Sequence, residues 1–208
     1  MRTEATNQIG RLAALPSSAV ADAIGRSGAL GPGLRRFAGI GPFAGRVRTI
    51  DCRGVSPRSV RPGVEACERG DVLVVDARDA ATVSAQVGEL VAAELTRRGV
   101  VAVVVHGYVR DVDVLRRGHL HVYALGVTPI ALLADHAGEV DVPLEFNGVG
   151  VAPGDVIVGD DDGLVRVSAA LLESAADIGE AIVERERAIA EQISAGESLF
   201  EVRRDETS

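Results

Sequence analysis

The residues best suited to chemistry in this chain are an acid, Glu89, and, after twenty intervening residues, an arginine followed at once by an aspartate, Arg110-Asp111. Two carboxylates and a guanidinium fork, helped by free backbone N–H groups, can hold a divalent cation and a small oxoacid together. The same residues also suit a structural ion pair at a sheet edge, since such pairs are common and contribute little.

The elements around them favour convergence. Val100 to Val105 is an unbroken β-branched apolar run between Gly99 and Gly107, the pattern of a buried central strand, so Arg110 and Asp111 fall just past its end. The preceding stretch, Glu89 to Arg98, is rich in helix formers, with an acid first, arginines in the last turn and Gly99 as the stop. A helix that begins at Glu89 offers unpaired amides at Leu90 and Val91. Because helix and strand run antiparallel, the helix start and the strand end can share one edge of the sheet.

The spacing of Glu89 to Arg110-Asp111, the run Gly107-Tyr108-Val109-Arg110-Asp111-Val112-Asp113 and the later Gly126-Val127-Thr128-Pro129 resemble the RraA-like family. Ser18 to Ala23, Gly70 to Asp76, Val142-Pro143, Pro153-Gly154-Asp155, Gly159 to Gly163 and Ala195-Gly196-Glu197 extend the likeness over nearly the whole chain. The resemblance implies a compact swivelling β/β/α domain of the α/β class spanning residues 1–208, with a C-terminal helical segment about 169–195. It further implies a class II pyruvate aldolase that cleaves a 4-hydroxy-2-oxoacid with Mg²⁺ or Mn²⁺, decarboxylates oxaloacetate as a side reaction, and assembles as a homotrimer or hexamer.

On this resemblance Asp111 is the metal ligand, and Arg110 binds the substrate carboxylate and stabilises the developing enolate. Gly88 and the amides of Leu90 and Val91 hold the carboxylate's other side, and Glu89 orients or deprotonates a water. Glu186, with Glu197 behind it, is the candidate acid contributed by a neighbouring subunit. The alternative is a non-catalytic regulator that binds ribonuclease E or another protein. Three departures from the family pattern stand out: no glycine between Ala77 and Gly88, His106 where aspartate is usual, and Leu125 where arginine is usual.

Composition narrows the options independently. The chain has 208 residues, 47% of them hydrophobic, enough for one substantial core. Its net charge of −8 argues against a general nucleic-acid binder. The apolar runs fall far short of the ~20 residues that span a bilayer, and Met1 to Leu15 lacks the pattern of a signal peptide. Two cysteines, Cys52 and Cys67, suggest no disulfide framework, and a cytoplasmic setting is expected. All 22 basic residues are arginine. Without lysine there is no Schiff-base aldolase and no internal aldimine with pyridoxal phosphate, so carbon–carbon lyase chemistry, if present, must use a metal.

Elsewhere, Gln8 to Leu15 reads as a short helix ended by Pro16, and Ser17 or Ser18 as the cap of a helix from Ala19 to about Arg26. Gly28 to Gly45 reads as a loop leading into a strand at Arg46 to Cys52, and helix is expected from about Val64. Gly70 to Asp76 and Gly154 to Asp160 share the pattern G-D-V-x-V-x-D, which predicts the same turn feeding a strand twice. Asp160 to Gly163 is expected to form a hairpin turn rather than a calcium loop. His119 and His121 are expected to be structural or surface residues rather than a metal pair. Ala169 to Ser194 is expected to be helical with a break near Asp177 to Gly179.

Overall fold

The computed structural model describes residues 2–54, 58–78 and 83–200, with side chains described from Glu4 onward. In chain order, α1 (Arg2–Leu12) and α2 (Ser17–Ala23) precede strands β1 (Arg35–Ala38), β2 (Phe43–Asp51) and β3 (Arg58–Ser59). Then follow α3 (Arg61–Ala66), β4 (Asp71–Asp76), β5 (Ala85–Val87), α4 (Glu89–Arg98), β6 (Ala102–Val109) and α5 (Val112–Leu115). The remainder is β7 (His121–Val127), β8 (His136–Ala137), β9 (Glu139–Val140), β10 (Leu144–Phe146), β11 (Val149–Val151), β12 (Val156–Gly159), β13 (Leu164–Val167) and α6 (Leu172–Ser194).

The main sheet runs β1-β7-β6-β4-β2-β12-β13. Its middle, β7-β6-β4-β2, is parallel, whereas β1, β12 and β13 pair antiparallel. The apolar runs of β4 and β6 are explained by burial on both faces. Leu73, Val75, Val103 and Val105 enter one core with Leu95 of α4 and Val64 of α3. Val72, Val74, Ala102 and Val104 enter a second core with Phe146 and Tyr123. A third core lies between the β12–β13 hairpin and α1, α2 and α6.

The repeated G-D-V-x-V-x-D segments do form the same turn. Asp71 accepts a hydrogen bond from the Glu68 N–H at 2.9 Å, and Asp155 accepts one from the Ala152 N–H at 2.9 Å, each opening a strand. Each carboxylate also takes an arginine, Arg46 and Arg166 respectively. The Asp160–Gly163 turn closes the β12–β13 hairpin, as expected, through Asp160 N–H to Gly163 O at 3.1 Å.

Several expectations are corrected. Helix α6 is unbroken from Leu172 to Ser194. Gly179 lies against Leu15, where an added Cβ would meet Leu15 Cδ1 at 2.8 Å, and Arg11 pairs with Asp177 and Glu180, so packing overrides the local break signal. Ser17 does not cap α2. Its N–H and hydroxyl both donate to the Asp160 carboxylate, at 2.7 and 2.6 Å, and α2 ends at Ala23. The stretch read as a loop between Gly28 and Gly45 contains β1, which edges the sheet against β7. Helix α1 starts at Arg2, and α3 starts at Arg61 with Pro62 in its first turn, where a missing N–H costs nothing. Among the described residues no helix is long and apolar enough to cross a membrane.

Candidate active site

The parallel strands β4, β6 and β7 end at one edge of the sheet, where clefts of α/β proteins usually form. Short β5 extends that edge by pairing parallel with the end of β6. The Arg110 N–H then donates to Val87 O at 3.0 Å, which fixes the chain just before α4 against the chain just after β6. The Gly126-Val127-Thr128-Pro129 segment closes the other side: Thr128 N–H donates to Val109 O at 3.0 Å, and Ala85 N–H to Ile130 O at 2.9 Å.

This pairing brings Gly88, Glu89, Arg110 and Asp111 together. Asp111 adopts the left-handed conformation, φ 59° and ψ 34°, which short polar side chains tolerate better than most. It stands at the start of α5, yet its carboxylate does not cap that helix. Instead Asp111 Oδ2 accepts the Glu89 N–H at 3.0 Å, the first amide of α4, and lies 3.4 Å from Arg110 Nε. Both side chains remain about a third exposed, 37% for Arg110 and 35% for Asp111. A side chain at position 88 would not fit, because a Cβ there would lie 2.6 Å from Asp111 Oδ2 and 2.9 Å from Arg110 Nε.

The Glu89 amide is therefore occupied, while those of Leu90 and Val91 have no acceptor among the described residues, as the geometry of a helix start requires. The Glu89 carboxylate is exposed and forms no ion pair with Arg110. Gly88, Leu90, Val91 and Arg110 line one cleft of about 220 Å³, closed by Val60, Ala131 and Leu132. That is room for roughly seven waters, the scale of a small organic acid.

One lining residue was not singled out by the sequence. Gln86 is 4% exposed, and neither Oε1 nor Nε2 has a hydrogen-bond partner among the described residues. It stands where β5 spends two steps, Ala85 to Val87, against one in β6, Tyr108 to Val109. An extra residue of this kind re-aims a side chain. A glutamine inside a three-residue strand carries no motif, so the sequence offered no signal for it.

The other singled-out residues lie elsewhere. Glu186 is on an exposed face of α6, which packs on the β12–β13 side of the sheet, away from β6 in strand order; the structure does not bring it to the cleft within one chain, nor Glu197. His106 is buried, its ring stacked 4.8 Å from Phe146 and its Nδ1 4.0 Å from Asp76; burial lowers its pKa. His121 packs 4.6 Å from Phe43, and among the described residues no group of three His, Cys, Asp or Glu could hold a metal. Leu125 lies beside Gly33 and does not line the cleft. Asp79 to Thr82, most of the glycine-poor turn, lie outside the described residues. A larger cleft of about 750 Å³ beside α2 includes Arg36 and Tyr123, but they are paired: Arg36 donates to Tyr123 and Gly41 O and meets Asp161.

The donor set fits a small hard cation. Asp111 offers one carboxylate at an open edge, which suits Mg²⁺ or Mn²⁺, ions that keep several waters, better than a site closed by protein ligands.

Fold and cleft define an α/β protein whose site is built at the carboxyl ends of parallel strands. The chain belongs to the RraA-like family, described as Aldolase/RraA, whose profile matches residues 17–166. It is 39% identical over 133 residues to a 4-hydroxy-4-methyl-2-oxoglutarate aldolase of Thermus thermophilus, covering 64% of this chain and 79% of that protein. The solved RNA-processing inhibitor RraA from Thermus thermophilus is 36% identical, with a TM-score of 0.66, over 73% of this chain and 92% of that one. An uncharacterized protein from Pseudomonas syringae pv. tomato shares the fold, with a TM-score of 0.84 at 23% identity over 95% of this chain and 97% of that one.

Proposed function

We propose that the protein is a divalent-metal-dependent lyase that cleaves a 4-hydroxy-2-oxoacid to pyruvate and a second oxo compound, with oxaloacetate decarboxylation as a side activity. The observation that carries this reading is the Asp111 carboxylate, bonded to the first amide of α4 beside Arg110, with the next two amides unpaired among the described residues. Similarity to a named aldolase supports the reaction class.

In this reading Asp111 would hold Mg²⁺ or Mn²⁺, which would supply Lewis-acid stabilisation of the developing enolate charge. Arg110 binds the substrate carboxylate through its terminal nitrogens, since Nε faces Asp111. The Leu90 and Val91 amides complete the anion cup. Glu89, exposed at the rim, takes the C4 hydroxyl proton directly or through a water. As the C3–C4 bond breaks, C4 becomes a carbonyl and the electron pair forms the enolate of pyruvate. Returning the proton to C3 completes the reaction. In a trimer or hexamer, Glu186 of a neighbouring subunit would complete the acid set.

The test is pyruvate release from 4-hydroxy-4-methyl-2-oxoglutarate and from oxaloacetate, with Mg²⁺ and with chelator, beside Asp111→Ala. Release that needs Mg²⁺ and is lost in the variant supports the reading. Metal-independent release, or none, overturns it. Similarity to an RNA-processing inhibitor favours one second reading, a regulator that binds ribonuclease E. Release from neither acid together with capture of ribonuclease E would support that instead.

A further inference from the structure

The geometry points to Arg61 as the residue that determines specificity for the substrate's distal half: its guanidinium takes the second carboxylate of a dicarboxylic 2-oxoacid whose first carboxylate sits on Arg110. This rests on the lyase reading of the cleft and adds to it the residue that selects the acid.

Three observations carry it. First, the cleft at Arg110 is continuous with a second cleft of about 330 Å³, since Ser59, Val60, Leu90 and Val91 line both. Second, the first cleft is equipped for one carboxylate. Arg110 is the one cation lining it among the described residues, and beyond Arg110 the wall is Val60, Ala131, Leu132 and Ala134, which gives a second anion no countercharge. The second cleft is lined by two arginines, Arg61 and Arg98. Third, of these two Arg61 is the one free to turn towards a ligand. Arg98 is tied to Glu94 at 2.8 Å and to the Glu65 backbone oxygen at 2.9 Å. The Arg61 side chain is 81% exposed and is held at one point, Nε to Glu65 at 2.7 Å, so its two terminal nitrogens have no partner among the described residues.

Helix stability does not account for Arg61 standing where it does. It opens α3, where the positive end of the helix dipole disfavours a cation, and it precedes Glu65 by four residues, the weaker order for such a pair. An exposed pair of this kind contributes little, so a carboxylate on the ligand can take the guanidinium from Glu65, which water then solvates. The free terminal nitrogens form the fork that grips a carboxylate at two points. The Ser59 hydroxyl lines both clefts, accepts the Arg61 N–H at 3.2 Å and donates to nothing among the described residues, which leaves it a second donor for the same carboxylate.

The experiment is calorimetric titration in Mg²⁺ of the parent protein, Arg61→Ala, Arg61→Lys and Glu65→Gln with 2-oxoglutarate and 2-oxopentanoate, five-carbon acids that differ only in carrying a carboxylate or a methyl group at the far end. The parent is expected to bind 2-oxoglutarate about tenfold tighter than 2-oxopentanoate. Arg61→Ala is expected to abolish that preference and leave 2-oxopentanoate affinity and the melting point unchanged. Arg61→Lys should restore part of the preference, and Glu65→Gln should tighten 2-oxoglutarate alone, by about two- to fivefold. A preference kept in Arg61→Ala would overturn the assignment, as would equal weakening for both acids, which is the mark of a structural role. A parent that prefers neither acid, or binds neither, would overturn it too. Pyruvate release from 4-hydroxy-4-methyl-2-oxoglutarate is measured separately, and Arg61→Ala is expected to raise KM with kcat kept. No release from the parent while the binding preference holds and depends on Arg61 would mean that the lyase reading fails and the recognition stands. Release with the same KM in parent and variant would mean the reverse.

Discussion

Replacing Gly88 by alanine adds one methyl group at the point where α4, Arg110 and Asp111 meet. Gly88 has φ −135° and ψ −165°, an extended conformation open to any residue, so the substitution brings no backbone strain. The effect is steric: the new Cβ would lie 2.6 Å from Asp111 Oδ2, roughly 0.8 Å inside an ordinary contact of 3.4 Å. Asp111 must swing away and lose its bond to the Glu89 N–H, and Arg110 must shift with it. For a partly exposed bond the stability cost is about 1 kcal/mol, a fall in Tm of about 2–4 °C for a domain of this size. Displacement of reacting groups on the order of 1 Å costs about 10²-fold in rate. Gly88→Ala should therefore keep its fold, judged by circular dichroism and melting, and lose about 10²-fold in Mg²⁺-dependent pyruvate release. Turnover within twofold of the parent would refute the reasoning, because the groups displaced would then not be those the reaction uses.

Three further outcomes follow from the packing. Burial, with Arg36 nearby, holds His121 down at about 4, against an ordinary value of about 6.5, and His106 shifts the same way. The unfolded chain therefore takes up protons that the folded chain resists. This stability is complete above pH about 6.5 and is lost as pH falls towards 4, by roughly 1–2 kcal/mol after allowance for partial exposure; His121→Asn should flatten the fall in melts at pH 7.5 and 5. Ser17→Ala removes the hydroxyl that donates to Asp160 at 2.6 Å and should lower Tm by about 2–6 °C, and an unchanged Tm would contradict the role given to that contact. Gly28→Ala would place a Cβ 2.1 Å from the backbone oxygen of Arg166, which no rotamer can relieve, and should cost over about 3 kcal/mol, seen as loss of soluble folded protein or a steep fall in the denaturation midpoint.

The sequence was most legible where local chemistry and tertiary structure agree. Gly99 stops α4 in the left-handed conformation at φ 79°, and the acid-to-arginine polarity of that helix marked its direction, so the meeting of Glu89 with Arg110-Asp111 followed from two adjacent elements. The paired Gly-Asp turns were readable for the same reason. The unbroken course of α6 was not, because Leu15 and Arg11, far away in sequence, decide whether Gly179 breaks the helix. Strand β1 was hidden among glycines since it exists only by pairing with β7. Gln86 was hidden in the same way: its burial beside Arg110 arises from β5 adding to the end of β6, a long-range pairing with no local signature.

The most direct measurement of the central claim is a Mn²⁺ titration followed by electron paramagnetic resonance, on the parent protein and on Asp111→Ala, each with and without oxalate as a mimic of the pyruvate enolate. The account predicts one Mn²⁺ site per chain in the parent, tightened by oxalate, and at least tenfold weaker binding in the variant with no response to oxalate. Equal Mn²⁺ affinity and equal oxalate response in both proteins would contradict it.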